Sequence, residues 1–214
     1  MANSSSFYEK YWKHSADVYS GSLQGYAVHF RRWMNDTITR LGKDLKILEV
    51  GCGDATFTRS LMELSNDVTA VDIAEAQLAE NAKQHPAVKF QVQDLSEPMP
   101  FSDATFDVIW CSEVLEHLMD PTYALSEMRR VLKPGGIAMV TVPYHGFLKN
   151  LCIVAFRWDR NFDPEGPHIR YFTERTLERV AKNAGFQKVT MKTCGMSRPF
   201  LDLCFPSNIL MEAR

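Results

Sequence analysis

Short apolar runs alternate along the chain with stretches in which apolar residues recur every three or four positions. The runs are Lys46–Val50, Val68–Asp72, Val88–Gln93, Phe106–Cys111 and Ile137–Val142. Most are apolar on both faces, as strands buried inside a parallel sheet should be. Between them, Phe57–Ser65, Ala74–Gln84 and Pro121–Leu132 carry helical periodicity. The last has Asp120 as N-cap and Pro121 at the first helical position, and it stops at Lys133-Pro134-Gly135-Gly136. Upstream, Gln24–Leu41 reads as a longer amphipathic helix ended by Gly42. Downstream, Thr173 caps a helix running to Ala184, with Gly185 just beyond it. Two tail strands, Gln187–Thr193 and Asn208–Arg214, complete the series. Strand–helix alternation of this kind predicts a doubly wound α/β fold around a seven-stranded, mostly parallel sheet.

Residues Tyr144–Tyr171 interrupt the pattern after the fifth strand. The segment holds Phe147, Leu148, Leu151, Ile153, Val154, Phe156 and Trp158, then a polar turn, Asp159–Pro167. In an open α/β sheet the ligand lies beyond the carboxyl ends of the strands. An insertion at 144–171 is therefore expected either to cover the site or to add core packing, and apolar helical stripes commonly do the latter.

Composition adds little to the fold but narrows the function. The 214 residues fit one domain and are 45% hydrophobic and 23% charged, ordinary for a globular chain. A net charge of −2 gives no electrostatic reason to expect a nucleic-acid partner. Cys52, Cys111, Cys152, Cys194 and Cys204 are widely spaced and include no C-x-x-C pair, which fits reduced thiols in the cytoplasm. Met1–Trp12 lacks the apolar core of a signal peptide, and no transmembrane span is expected.

The chemistry-bearing residues cluster at strand ends. Strand one runs through Glu49-Val50 into Gly51-Cys52-Gly53-Asp54, where two glycines allow a sharp turn and a close backbone approach to a ligand. The dinucleotide fingerprint needs a third glycine, and Thr56 stands there instead, which argues against a pyrophosphate ligand. Asp72 ends strand two at the usual place for an acid that holds ribose hydroxyls. Asp94 follows strand three and, ionised, accepts from an exocyclic amine. The ligand implied is an adenosine without a pyrophosphate.

With these residues in view, the chain resembles the class I S-adenosylmethionine methyltransferases of the small-molecule group that includes the ubiquinone-biosynthesis O-methyltransferases. The match is carried by Glu49-Val-Gly51-Cys-Gly53, Asp72, Asp94, Phe101-Ser-Asp-Ala-Thr-Phe106-Asp107, Glu113-Val-Leu-Glu116-His117-Leu118 and Arg130-Val-Leu-Lys-Pro-Gly135-Gly136. The resemblance implies S-adenosylmethionine as cofactor, bound by Glu49, Gly51, Cys52, Gly53, Asp72, Ile73, Asp94, Leu95 and the backbone of Cys111. It also implies a lid from the N-terminal helices (residues 1–45), with Tyr8, Tyr11 and Trp12 over the cofactor.

Methyl transfer from a sulfonium needs mainly in-line placement and exclusion of water. A hydroxyl acceptor also benefits from a base, and histidine suits that task. His117, His145 and His168 lie near strand ends or in the insertion, and His117 and His145 are the named catalytic candidates. Were residues 113–117 helical, Glu113, Glu116 and His117 would share one face, a set able to hold a divalent ion. Some ubiquinone-type enzymes are thought to use such a cluster, but the same string recurs in metal-free relatives. Spacing alone does not establish a site, so no metal is expected.

The expected function is methylation of a small, partly apolar molecule at oxygen or nitrogen. Two other readings compete: a non-catalytic cofactor-binding scaffold with the same fold, and a protein or nucleic-acid methyltransferase. Thr141-Val142-Pro143-Tyr144 replaces the Asn-Pro-Pro-Tyr string of enzymes that methylate planar nitrogens, which weakens the latter.

Overall fold

The computed structural model describes residues 25–162, 166–195 and 206–214. Its strands are β1 (Lys46–Val50), β2 (Asp67–Asp72), β3 (Lys89–Val92), β4 (Phe106–Ser112), β5 (Leu132–Pro143), β6 (Val189–Cys194) and β7 (Asn208–Ala213). They form one sheet in the order β3-β2-β1-β4-β5-β7-β6. Strands β1 to β5 pair in parallel, and β7 runs antiparallel to both β5 and β6. The strand order reverses between β1 and β4, so the carboxyl ends of these parallel central strands open the crevice in which such folds bind ligands.

The helices are α1 (Tyr26–Leu41), α2 (Thr56–Met62), α3 (Glu75–Gln84), α4 (Pro121–Val131), α5 (Phe147–Phe156), α6 (Trp158–Asn161) and α7 (Glu174–Asn183). Residues alternate between two cores because successive strand side chains point to opposite faces. Ile47, Val108, Trp110, Ile137 and Met139 pack with Phe30, Met34 and Ile38 of α1, Leu61 of α2 and Leu78 of α3. Leu48, Val50, Ile109, Cys111, Ala138 and Val140 pack with Leu125 and Met128 of α4 and Leu177 and Ala181 of α7. Capping follows the sequence closely. The Asp120 carboxylate accepts from the Tyr123 N–H at 2.9 Å with Pro121 opening α4, and Thr173 forms a reciprocal capping box with Thr176.

Two expectations needed revision, at the third and fifth strands. The third strand carries Lys89, Gln91 and Val92 exposed, because among the described residues β3 forms the sheet edge, paired with β2. Strand β6, at the other edge, alternates exposed and half-buried positions for the same reason. The fifth strand is longer than its apolar run: it starts at Leu132, directly after α4, and Gly135 (φ 81°) bends within it. Among the described residues, no helix is long and apolar enough to cross a membrane.

Candidate active site

Immediately after β1 the backbone enters the left-handed region at Gly51 (φ 77°), Gly53 (φ 48°) and Ala55 (φ 61°). Gly51 is also sterically required, since a Cβ there would lie 2.3 Å from Cγ2 of Val114. The turn is held from β2 and α3. The Gly51 N–H donates to the Val71 carbonyl at 2.8 Å. The two oxygens of Asp72 accept from the N–H groups of Gly53 (2.9 Å) and Ala74 (3.0 Å), and the Asn81 amide donates to the Gly53 carbonyl at 2.8 Å. Asp72 thus clamps the glycine turn, a role its place at a strand end did not reveal.

Carboxyl groups concentrate beneath this turn. Glu49 is buried and accepts from the Thr58 hydroxyl. Burial pushes its carboxyl up to about 8; the Thr58 bond opposes the rise, and Asp72 and Asp54 add to it. Burial also raises Asp72, against the pull of its backbone donors. Acids whose charge burial makes costly favour a cationic group bound nearby. The thiols of Cys52 and Cys111 are pushed up by burial and stay neutral. Cys111 sits inside β4, in register with Val50 and Val140.

The remaining expected cofactor residues fall around the same crevice. Ile73 is half-buried between β2 and α3. Asp94 follows β3 and accepts from the Ser96 N–H (2.9 Å) and hydroxyl (2.7 Å) through Oδ1. Leu95, beside it, packs against the core. The Gln93 amide donates to the carbonyls of Asp94 (2.6 Å) and Glu97 (3.2 Å), fixing this loop.

Across the crevice, the end of β4 presents the second group of polar residues. Ser112 and Thr141 share a 2.9 Å hydrogen bond. Glu113 adopts φ 54°, a strained conformation for a residue with a Cβ. It is held there by donors from Thr141 (2.8 Å) and Asn208 (2.9 Å). Leu115–His117 is a single 3-10 turn rather than an α-helix. Glu113, Glu116 and His117 therefore do not share a helical face: Glu113 turns back onto the sheet, and Glu116 and His117 join His168 instead. One ligand atom from each of Glu116, His117 and His168 lies within 4.8 Å of the others.

This cluster is electrostatically unusual. Glu116 is 1% exposed, and neither carboxylate oxygen has a hydrogen-bond partner. Burial raises its pKa well above the usual range, with Glu113 adding repulsion, and burial brings Glu113 to about 7. His117 places Nδ1 2.9 Å from the Pro167 carbonyl and Nε2 3.7 Å from Glu116. Burial lowers all three histidines, His145 and His168 to about 4. They are neutral at physiological pH, as a proton acceptor or a metal ligand must be. Lys149, lowered by burial, donates to the carbonyl of Tyr144 at 2.7 Å and so pins the start of α5 to this group.

The insertion folds as α5 and α6 followed by a loop tied back to the cluster. The carbonyl of Glu116 accepts from the N–H groups of Ile169 (3.0 Å) and Arg170 (2.9 Å). Arg170 in turn donates to the Met119 carbonyl at 2.6 Å. His145 packs edge-on against Tyr171, with centroids 4.8 Å apart. Leu151, Val154 and Phe156 are exposed, and only Ile153 of α5 is buried, so this helix is not the added core packing that apolar stripes commonly supply. The lid aromatics Tyr8, Tyr11 and Trp12 lie outside the described residues. Sequence reasoning missed Thr58, Asn81, Thr141, Lys149 and Asn208, whose sole signal is their place in space.

Comparison with known proteins bears on this geometry. A family model described as a methyltransferase domain matches residues 48–140, the span from within β1 to within β5. A protein of Mycolicibacterium smegmatis named "Probable S-adenosylmethionine-dependent methyltransferase" is 30% identical over 146 residues, covering 68% of this chain and 52% of that protein. The ubiquinone biosynthesis O-methyltransferase of Pseudomonas syringae is 28% identical over 165 residues, 72% of this chain and 69% of the enzyme. The chain thus spans about half the length of the first and just over two thirds of the second. Among solved structures the cyclase SpnF superposes with a TM-score of 0.70 over 98% of this chain and 94% of its own, at 18% identity. That likeness is one of fold.

Proposed function

We propose that the chain, which is similar over residues 48–140 to a methyltransferase domain, is a class I S-adenosylmethionine-dependent methyltransferase and that it methylates an oxygen or nitrogen of a small molecule with an apolar part. When bound, S-adenosylmethionine supplies a methyl group already activated on a positively charged sulfur. The observation that carries the reading is the glycine turn clamped by Asp72 above the buried carboxyls of Glu49 and Asp72. Gly51, Cys52 and Gly53 would underlie the methionine portion, and Asp72 with Ile73 would hold the ribose. Asp94 and Leu95 would meet the adenine, and the Cys111 backbone the methionine amine. Each Asp72 oxygen keeps a lone pair beyond its backbone bond.

On the acceptor side the protein's work is placement and the exclusion of water. His117 and His145 are the proposed bases. Both are neutral through burial and flank the β4 and β5 ends. A screen for S-adenosylhomocysteine release, using phenols and acyl acceptors beside highly polar ones, tests the proposal. Turnover is expected with the apolar-bearing acceptors. Response from polar acceptors alone would overturn the acceptor class, and binding without turnover on any acceptor would favour the scaffold reading.

A second reading concerns the reacting group. The Glu116 carboxylate, which accepts no hydrogen bond, forms with His117 and His168 a donor set that fits a divalent ion, although the sequence alone points to metal-free chemistry. Such an ion would polarise an acceptor oxygen. If His117 or His145 acts alone, turnover survives exhaustive chelation. Activity abolished by EDTA and restored by magnesium or zinc, together with metal content lost in His168→Ala, would establish the ion instead.

A further inference from the structure

Helix α5 has its polarity reversed. At about 3.6 residues per turn, Val154, Phe147, Leu151, Ala155, Leu148, Cys152 and Phe156 fall in sequence around an arc of roughly 200°, and every one of them is exposed. Phe147 is 80% and Phe156 84% exposed, at the two ends of the helix. The inward arc holds Lys149, Ile153 and Asn150. Its two polar members are half-buried and bonded to the body: Lys149 to the Tyr144 carbonyl at 2.7 Å, Asn150 to the His145 carbonyl at 3.1 Å. A helix whose polar residues face the protein and whose apolar residues face outward is matched to an apolar medium, because exposed apolar area in water is unfavourable.

We propose that α5 docks the protein onto a lipid bilayer, lying in the plane of the interface with its outer arc among the upper acyl chains. The width of the arc selects this occupant. A single helix packed against this one covers one flank, which would leave Val154 or Phe156 in water, whereas a fluid bilayer wets the whole arc. Ten residues make a helix about 15 Å long, too short to span and long enough to lie flat. Trp158 and Arg157 follow at its end, the residue types that settle at the headgroup level. No Asp or Glu occurs within the helix itself, and Lys149 and Arg157 precede Asp159, the first acid beyond it. The apolar surface continues past the helix through Trp158, Phe162 and Tyr171, whose rings stand 4.5 and 5.1 Å apart in turn. Tyr171 packs on His145, so the docking face borders the proposed acceptor side.

The test is co-sedimentation of the full chain with vesicles, one set of phosphatidylcholine and one of equal parts phosphatidylcholine and phosphatidylglycerol. The wild type is expected to pellet with the mixed vesicles. The double variant Phe147→Ser/Phe156→Ser is expected to bind at least about tenfold more weakly, since two aromatic rings no longer leave water. Its melting temperature should not change, because both side chains are exposed. Absence of wild-type binding, or equal binding by the variant, would overturn the proposal. So would a wild-type dimer in solution that the same substitutions dissolve, since the face would then be a self-interface. The assay needs neither cofactor nor acceptor, so its failure and a failure of the methyl-transfer proposal are separately visible.

Discussion

Two side chains at the glycine turn carry the sharpest expectations at the scale of single residues. Asp72 both clamps the turn and stands where a ribose would lie. Asp72→Ala should weaken S-adenosylmethionine binding by roughly 1.5–3 kcal/mol, the range for hydrogen bonds to a charged group. Calorimetry that finds unchanged affinity in a folded variant would remove Asp72 from the site. Glu49, with its carboxyl pushed up to about 8, is largely protonated at neutral pH without a ligand. Positive charge placed beside it favours the ionised form, so cofactor binding near pH 7 should release a proton. Titrations in buffers of different ionisation enthalpy measure that proton, and a heat of binding independent of buffer would contradict it. The same raised pKa has a sign for stability. The folded state holds this proton more tightly than the unfolded chain, so the stabilisation is complete below about 4.5 and is lost as pH rises towards 8.

At the scale of elements, local sequence rules and tertiary demands separate cleanly. Helix α7 is specified locally: Thr173 and Thr176 satisfy each other's backbone, and Leu177 and Ala181 form its buried stripe. Thr173→Ala should destabilise the protein by about 1 kcal/mol, the usual worth of such a cap, without changing cofactor affinity. Urea denaturation beside a cofactor titration checks both halves of that expectation. The turn at residues 115–117 behaves differently. Its residues have helical spacing, yet a 3-10 turn forms because β4 holds the chain extended to Ser112 and Glu113 must reverse it at φ 54°. Thr141 from β5 and Asn208 from β7 then fix the Glu113 carboxylate, and both partners are distant in the chain.

Over the whole molecule, the sheet joins the cofactor crevice to both cores, so ligand binding should be felt as global stability. A ligand at about 100 times its dissociation constant adds about 2.7 kcal/mol to a fold that binds it only when native. For a domain of this size that corresponds to a rise in melting temperature of roughly 5–10 °C. Thermal melts with S-adenosylmethionine or S-adenosylhomocysteine provide the check, and a melting temperature indifferent to both would count against a formed cofactor site.

What the sequence determined alone is the part governed by short-range chemistry. Strand and helix periodicity located the elements that build the sheet. The paired glycines at 51 and 53 announced a turn that only small residues tolerate, and Asp72 and Asp94 were placed by the strands they end. The Asp120 and Thr173 caps were legible because a cap is a bond between near neighbours. Tertiary structure decided what depends on distant partners. It put β3 at an edge and so left apolar Val92 half-open. It drew His168 across to Glu116 and His117, from a loop fixed by the Glu116 carbonyl. It also turned the apolar arc of α5 outward, which periodicity cannot foresee, since periodicity gives the angle between residues but not the medium each one meets.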